Sequence, residues 1–314
     1  MILILTEKFD IPTENVISKL ETENANFKVI YGSDFLEIPF LINLNKNFIF
    51  TNNEKIENIN IVWYRRWISK LFRFSENPKE DEYLRREFEE FSSNFMLNLP
   101  VKKWLNTPPY INSFPSKAHQ LKKAKDLGLC IPTTIITNHL QFLKAFYKKN
   151  EKNIITKNLS DPYFYSEEDQ NFATYTTLVN QQEIEKQETL FFPSLFQNNI
   201  DKIIEIRIFY FLEKFYSYAI FSSNNKQTVV DFRIYDYTKP NRIMKYELPN
   251  YIKKKLINFM KSFNLDTGSI DMIVDKSNNF IFLEVNPQGQ FGGMEEYGLS
   301  IEKDIADYLI ENDI

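Results

Sequence analysis

The residue types with the clearest chemical potential lie in one short segment near the carboxyl end of the chain. Asp271, Glu284 and Asn286 carry hard oxygen donors, and they fall in or directly after two apolar runs, Ile270–Asp275 and Phe280–Val285. Two such runs separated by a short polar stretch predict a β-hairpin. Three converging oxygens would suit Mg²⁺ or Mn²⁺, which accept a few protein oxygens together with phosphate oxygens.

The register of this hairpin is left open by the sequence. A loop of residues 276–279 places Asp271 opposite Glu284, whereas a loop of residues 278–279 alone places Asp271 opposite Asn286. Glu284 and Asn286 share a face in both registers, because strand side chains alternate. Both registers therefore gather two carboxylates and an amide; the alternative is an exposed polar face, although Asp and Asn are poor strand formers. The opposite face is predicted to join the core: Ile281, Leu283 and Val285.

Arginines that could bind an anion occur on two predicted strands. The pairs Glu205/Arg207 and Asp231/Arg233 are each spaced i, i+2, so both members of a pair point to one face of a strand. Arginine is suited to bidentate contacts with phosphate or carboxylate. Structural ion pairs within a sheet are an equally good interpretation of either pair alone.

Two lysines occupy positions where a cation could meet a phosphate. Lys157 ends the apolar strand that contains residues 154–156, and a solvated strand end is the alternative. Lys117 lies in the first turn of a predicted helix capped by Ser116, where a cation opposes the helix dipole. This placement is a weak indication of an anionic partner.

One apolar strand could line a nucleobase pocket. Residues 191–197 run into the polar pair Asn198-Asn199, which would offer backbone groups to an adenine ring. An ordinary core strand explains the same run equally simply, and it is the better interpretation without further support.

The surrounding pattern predicts how these residues are positioned. Apolar runs at 1–5, 27–31 and 60–64 alternate with helical patterns, which indicates a small α/β layer with a parallel sheet. A proline-rich linker over residues 106–115 follows. Beyond it the predicted strands are 131–137, 153–157, 173–180, 189–197, 204–212, 215–222 and 227–233, and the predicted helices are centred on 142–146, 251–263 and 301–310.

Composition excludes several classes of protein. Thirty-eight basic against 42 acidic residues give a net charge of −4, which argues against a broad nucleic-acid surface. No apolar run approaches the roughly 18 residues of a membrane-spanning helix, and no signal peptide is present. The single Cys130 is expected to be buried, and with only two histidines it excludes a disulfide scaffold and a Cys/His zinc site. A reducing cytoplasm is the expected compartment.

The glycine-rich phosphate motifs are also missing. The seven glycines form no GxxxxGK[ST] and no GxGxxG, and no GxSxG nucleophile elbow occurs. If the protein binds a nucleotide, side chains must hold the phosphates.

Seven short motifs carry a resemblance to a known family. They are WYRR at 63–66, FPSLFQ at 192–197, EIR at 205–207, TVVDFR at 228–233, KPNR at 239–242, TGSID at 267–271 and LEVNPQGQF at 283–291. In this order the chain resembles the ATP-grasp superfamily. More closely, it resembles the peptide-modifying ligases that make graspetides of the microviridin type, with the grasp-with-spasm maturases nearest. The match covers essentially the whole chain and is more specific in its second half.

The resemblance implies a mixed α/β and α+β architecture, the ATP-grasp fold, in which two sheets clasp ATP. It divides the chain into an N-terminal α/β domain over 1–105, a central subdomain with a lid loop over 106–196, and a C-terminal subdomain with the hairpin over 197–314. One departure is that residues 158–172, where many members have a glycine-rich lid, contain no glycine.

The same resemblance assigns roles to residues. Asp231 would be a candidate base. The remaining assignments are Lys117 and Lys157 on the phosphates, Gln197, Asn198 and Ile200 around the adenine, Asp271, Glu284 and Asn286 on Mg²⁺ (or Mn²⁺), and Arg207 and Arg233 on the γ-phosphate and the acyl-phosphate.

The implied activity is ATP-dependent closure of ω-ester or ω-amide rings in a ribosomal precursor peptide. The leader segment of that peptide would dock near residues 172–215, and a homodimer is expected, with no nucleic-acid or membrane partner. One alternative is a ligase that adds a free amino acid to a protein or small molecule. Another is a catalytically dead binding module, against which the intact set of oxygen donors argues.

Overall fold

The computed structural model describes residues 1–45, 48–51, 54–68, 72–108, 114–160, 164–167, 170–225, 227–228, 230–231, 233–234 and 236–314. The chain forms two compact units. One comprises Met1–Phe114, Leu265–Gly268 and Pro287–Ile314, and the other comprises Pro115–Asn264 and Ser269–Asn286. The division into three domains, which the family resemblance implies, stays a prediction.

The strands in chain order are β1 Ile2–Thr6, β2 Phe27–Tyr31, β3 Phe40–Asn43, β4 Phe48–Thr51, β5 Glu54–Ile56, β6 Ile59–Tyr64, β7 Val101–Leu105, β8 Thr134–His139, β9 Ile154–Lys157, β10 Phe164–Glu167, β11 Gln170–Ala173, β12 Thr177–Val179, β13 Leu190–Asn198, β14 Lys202–Phe211, β15 Lys214–Ile220, β16 Ile243–Lys245, β17 Thr267–Asp275 and β18 Phe280–Asn286. The helices are α1 Ile11–Thr22, α2 Pro78–Leu97, α3 Lys117–Asp126, α4 Leu140–Lys149, α5 Gln181–Glu185, α6 Asn250–Ser262 and α7 Ile301–Glu311. No helix among the described residues is both long and apolar enough to cross a membrane.

The first unit contains a parallel sheet in the order β2-β1-β6-β7. Every residue of β1 is buried, because a central parallel strand is covered on both faces. The predicted α/β layer is therefore confirmed. The antiparallel sheet β3-β4-β5 in the same unit was not predicted from the sequence.

The second unit contains two sheets that matter for the site. The first has the order β12-β9-β13-β8 and packs on α4 and α5 through a cluster that includes Phe146, Ile154 and Phe196. The second has the order β16-β15-β14-β17-β18. The predicted strands at 189–197, 204–212 and 215–222 are confirmed with small shifts at their ends as β13, β14 and β15.

The register of the β17–β18 hairpin is the first of the two alternatives. Asp271 lies opposite Glu284, and Ser269 lies opposite Asn286. A β-bulge follows, since Met272 pairs with Phe282 and leaves Leu283 as the extra residue. The bulge shifts the alternation of side chains, so Phe282 is fully buried while Leu283 is only half-buried. The prediction that Leu283 faces the core was wrong for this reason.

Two further predictions need correction. The described residues in 227–233 form turns and bends rather than a strand, whereas Val229 and Phe232 lie outside the described residues. Side-chain hydrogen bonds shape this segment instead, because the Thr228 hydroxyl donates to the Ser222 carbonyl and to Asn241 Oδ1. Cys130, expected to be buried, is exposed.

Ser116 does precede α3, but its side chain makes no capping hydrogen bond. The helix therefore begins without the cap expected from the sequence. A buried amide anchors the same turn, since Gln120 Nε2 donates to the Pro115 carbonyl at 3.0 Å and to the Val285 carbonyl at 3.2 Å.

We predict that the core beneath the hairpin limits the stability of the second unit. Phe282 is fully buried and its ring lies 4.7 Å from the ring of Phe259, so Phe282→Ala should lower the free energy of unfolding by about 3–5 kcal/mol. Phe192→Ala is the matched control, because Phe192 is 84% exposed on β13. Chemical denaturation measures both changes, and equal losses would contradict this account.

Candidate active site

An open cavity lies in the second unit, lined by residues of the sheets β12-β9-β13-β8 and β16-β15-β14-β17-β18. It gathers most of the side chains singled out from the sequence. These are Lys117, Lys157, Gln197, Asn198, Ile200, Asp231, Arg233, Asp271 and Glu284.

The carboxylate pair of the hairpin, Asp271 and Glu284, forms one wall of this cavity. Arg207 Nη1 donates to both oxygens of Asp271 at 2.9 Å. The negative charge of Asp271 raises the pKa of Arg207, while burial raises the pKa of Asp271 against the effect of Arg207. The Glu205/Arg207 pair expected from the i, i+2 spacing does not form, since Arg207 binds Asp271 instead.

Glu284 is incompletely satisfied. Lys117 Nζ lies 3.2 Å from Glu284 Oε2, but this buried oxygen accepts no well-directed hydrogen bond from the described residues. Burial alone would raise the pKa of Glu284, but the charges of Lys157 and Lys117 outweigh it and lower the pKa. Glu284 is therefore an anion whose Oε2 lies beside Lys117 but accepts no directed hydrogen bond from the described residues, so it can accept a further ligand.

This donor set fits a hard divalent cation. Two carboxylates from paired strands meet in the cavity wall, and a buried oxygen of Glu284 lacks a directed donor. Such oxygens are what Mg²⁺ takes from proteins when its other positions are filled by water or phosphate. Asn286 follows Glu284 on the same strand face; it is exposed and does not line the cavity.

Lys157 ends β9, as predicted, and lines the cavity. Among the described residues it forms no ion pair, although the carboxylate of Glu284 acts on it through space. Burial lowers the pKa of Lys157, and the charge of Glu284 opposes that effect. An ammonium group so placed is suited to an arriving anion.

Arg233 and Asp231 also meet, although no strand holds them. Arg233 Nε donates to Asp231 Oδ1 at 2.8 Å, and Arg233 Nη2 donates to Asp231 Oδ2 at 2.5 Å. The backbone N–H of Thr176 adds a bond of 3.1 Å to Oδ2. Burial alone would raise the pKa of Asp231, but these hydrogen bonds lower it. The contacts favour Asp231 as the residue that orients Arg233; its role as a base stays a prediction.

The segment 197–200 lines the cavity at the end of β13. The Gln197 side chain is buried and donates from Nε2 to Thr134 Oγ1 at 2.9 Å. The Asn198 backbone N–H donates to the Thr133 carbonyl, and Asn198 Oδ1 accepts from the Thr133 N–H. These bonds fix a stretch of backbone against which a flat ring could bind.

One ion pair in the cavity wall was missed by the sequence analysis. Lys202 Nζ lies 2.8 Å from Glu205 Oε1, and the Ser222 hydroxyl donates to the same oxygen at 2.5 Å. Burial raises the pKa of Glu205 and Lys202 counteracts it. No local pattern in the sequence indicates this pair, because regular strand alternation places residues three apart on opposite faces.

No family model matches the chain, and no curated protein does. Among solved structures, the macrocyclase MdnC from Microcystis aeruginosa MRC, bound with the precursor peptide MdnA, is 29% identical, with a TM-score of 0.82 over 99% of each chain. A RiPP-associated ATP-grasp ligase from Chryseobacterium gregarium, in complex with ADP and a leader and core peptide, is 24% identical, with a TM-score of 0.84 over 99% of this chain and 96% of that chain.

The macrocyclase MdnB from Microcystis aeruginosa MRC is 26% identical, with a TM-score of 0.78 over 98% of each chain. The three likenesses extend over nearly the whole of this chain. They confirm the predicted fold class.

We predict that Lys117 competes with a divalent cation for Glu284. In the absence of any other ligand, Lys117→Met should tighten Mn²⁺ binding by at least about fivefold. Two like unit charges about 4 Å apart repel by about 1 kcal/mol even in water, and this repulsion is removed in the variant. Lys122→Met, which removes an exposed lysine from the same helix, is the control. Electron paramagnetic resonance of free Mn²⁺ measures both affinities, and an unchanged or weaker affinity in Lys117→Met would show that the two cations do not compete.

Proposed function

We infer that the chain is an ATP-grasp ligase of the peptide-macrocyclase family, and we propose that it activates Asp or Glu side chains of a ribosomal precursor peptide with ATP. The observation that carries this proposal is the pairing of Asp271 with Glu284 in the wall of a cavity that Lys117, Lys157 and Arg233 also line. The likeness to MdnC, a macrocyclase solved with its precursor peptide, supports a substrate of the same class.

Two groups of lining residues suit the two parts of ATP, the adenine and the phosphates. Residues Gln197, Asn198 and Ile200 offer a fixed backbone edge at the end of β13, where the adenine would bind. Lys117 and Lys157 lie beside the carboxylate pair, where they would contact the phosphates. Cationic side chains take the place of the glycine-rich loop that the sequence lacks.

Asp271 and Glu284, with Asn286, would hold Mg²⁺ or Mn²⁺. When bound, the cation supplies positive charge that offsets the charge developing on the transferred phosphoryl group. The orphaned oxygen of Glu284 supports this assignment.

The proposed reaction has two steps. An oxygen of a peptide carboxylate attacks the γ-phosphorus of ATP, the bond to the β-phosphate bridging oxygen breaks, and ADP leaves. A Thr or Ser hydroxyl, or a Lys amine, of the same peptide then attacks the carbonyl carbon, loses its proton and expels phosphate. The products are a ring closed by an ester or amide, ADP and phosphate.

The arginines would act on the charge that moves in these steps. Arg233, oriented by Asp231, has a side chain 38% exposed, so it can reach an incoming phosphoryl group. Arg207 is held by Asp271 and would keep that carboxylate in place until phosphate oxygens draw the guanidinium away. Holding both reacting groups on one peptide supplies a large part of the rate enhancement.

We further propose a precursor peptide with a leader segment that docks on the region near residues 172–215. A homodimer and a cytoplasmic location belong to the same proposal.

The direct test is mass spectrometry of a candidate precursor peptide, encoded beside this protein and rich in Thr and Asp or Glu, after incubation with ATP and Mg²⁺. Ring closure predicts the loss of one water mass for each ring, with one ADP released per ring. Glu284→Gln should abolish both products while the far-ultraviolet circular dichroism stays unchanged. A gain of an amino-acid mass would favour the alternative ligase, and ring closure at the wild-type rate by Glu284→Gln would contradict the assigned site.

We predict a specific pH dependence of nucleotide binding. Burial lowers the pKa of Lys157 below its ordinary value of 10.5. The ammonium group therefore loses its proton at a lower pH than an exposed lysine does. We expect ADP affinity to fall with rising pH before the pH reaches 10.5. Lys157→Arg should move this loss to higher pH, because the pKa of a guanidinium lies well above that of a lysine ammonium group.

Calorimetric titration with Mg²⁺ and ADP across the alkaline range measures the effect. Lys148→Arg, on α4, is the control and should leave the profile unchanged. A Lys157→Arg profile that coincides with the wild-type profile would remove Lys157 from the phosphate contacts.

A further inference from the structure

A single buried amide ties together the two strands of the hairpin at their base. Asn106 Oδ1 accepts the backbone N–H of Thr267 at 3.1 Å, and Asn106 Nδ2 donates to the Thr267 hydroxyl and, at 3.5 Å, to the carbonyl of Pro287. Thr267 is the first residue of β17, and Pro287 directly follows the last residue of β18. Both functional groups of one amide are therefore used on the two ends of the hairpin.

The backbone of Asn106 is itself unusual. Its φ of 61° lies in the left-handed region, which asparagine tolerates better than most residues. The side chain is 6% exposed, so the hydrogen bonds form away from water. A residue with a conformational cost and a fully engaged, buried amide requires a reason for its placement.

The chain that follows β18 is held a second time, one residue after Pro287. Arg65 Nη1 donates to the carbonyl of Gln288 at 2.6 Å, and Arg65 Nε is fixed by Asp10 Oδ2 at 3.1 Å. The guanidinium of Arg65 also lies 5.0 Å from the ring centroid of Phe291. The chain that leaves β18 is therefore anchored at two successive carbonyl groups, those of Pro287 and Gln288.

The need for such an anchor follows from the bulge at Leu283. On the turn side of the bulge Met272 pairs with Phe282; continued toward the base, that register would pair Asp271 with Leu283 and Ile270 with Glu284. The two carboxylates would then no longer oppose each other. Because a shift of one residue also moves side chains to the other face, the position of the bulge decides whether the pair exists.

We propose that Asn106 is a positioning residue for the Asp271–Glu284 pair: by holding Thr267 and Pro287 in register it keeps the bulge at Leu283. The role assigned to the pair, binding a divalent cation with a nucleotide, rests on the proposed function. Asn106 holds the geometry of that pair whatever peptide is modified.

Asn106→Gly tests this claim, since glycine adopts the same backbone conformation without strain and lacks all three side-chain hydrogen bonds. In the presence of ADP its Mn²⁺ dissociation constant should rise by roughly 10- to 100-fold, the usual cost of losing a group that orients metal ligands. Hydrogen exchange at the amides of residues 269–272 should accelerate in the same variant, because the register is no longer held.

Ser92→Ala is the matched control. Ser92 is fully buried in the same unit, accepts from Trp67 Nε1 at 2.7 Å and donates to the Phe88 carbonyl at 2.6 Å, so its loss also removes buried hydrogen bonds. It should leave Mn²⁺ affinity within about twofold of wild type, since distant sites act independently. Equal Mn²⁺ affinities for Asn106→Gly and Ser92→Ala would overturn the proposal.

Thr267→Val is a milder second variant, which keeps the backbone N–H and the shape of the side chain but removes the hydroxyl that Asn106 Nδ2 reaches. The Mn²⁺ affinity of Thr267→Val should lie between those of wild type and Asn106→Gly. Wild-type Mn²⁺ affinity and wild-type hydrogen exchange of the hairpin in Thr267→Val would count against the proposed role of the Asn106 hydrogen bonds. Failure of the proposed function would be seen separately, as a precursor peptide left unmodified by the wild-type protein.

Discussion

Two negative charges placed opposite each other on neighbouring strands are the constraint on which the rest of the site depends. Asp271 and Glu284 would repel each other in an ordinary sheet, and the protein offsets that repulsion with Arg207 on one carboxylate and Lys117 beside the other. The lining of the cavity is balanced in sign, with Lys117, Lys157, Lys202 and Arg233 against Glu205, Asp231, Asp271 and Glu284. A negatively charged nucleotide that binds together with divalent cations would keep the charge of the cavity close to balanced. The nucleotide alone would make the cavity too negative, and the cations alone would make it too positive. We therefore expect metal and nucleotide to bind more tightly together than either binds alone.

The fold meets this constraint through a hairpin that changes register halfway along its length. The bulge at Leu283 lets the turn side of the ribbon place Phe282 in the core, while the base side keeps the two carboxylates opposed in the cavity. Phe282 packs in the core and Asn106 bonds both ends of the hairpin base, so we expect the pair to have little freedom. A phosphoryl-transfer site gains from such preorganisation, because donors that are already in place need not reorganise as charge moves.

Asp271 and Glu284 can be predicted from the sequence to lie close together, because strand side chains alternate and both loop lengths bring the two carboxylates to one face of the hairpin. The register stayed open because two loop lengths fitted the same residues, and a bulge has no signature in a run of apolar side chains such as residues 280–283. The run 227–233 was mistaken for a strand since its β-branched residues suit one, but hydrogen bonds from Thr228 fold the chain back instead. The hydrogen bonds of Asn106 could not be predicted in the same way. Asn106 lies in the proline-rich linker, 161 positions from Thr267, and no local pattern in the sequence indicates its partner.

The role of the opposed carboxylates is tested most directly by the hyperfine coupling between Mn²⁺ and the phosphorus nuclei of ADP. Electron–nuclear double resonance measures this coupling on the wild-type protein and on a variant that combines Asp271→Asn with Glu284→Gln. We expect strong ³¹P coupling to protein-bound Mn²⁺ in the wild type and no protein-bound Mn²⁺ signal in the double variant at the same concentrations. Mn²⁺ that binds equally well to both proteins, or that binds the wild type without coupling to phosphorus, would show that the opposed carboxylates do not join the metal to the nucleotide.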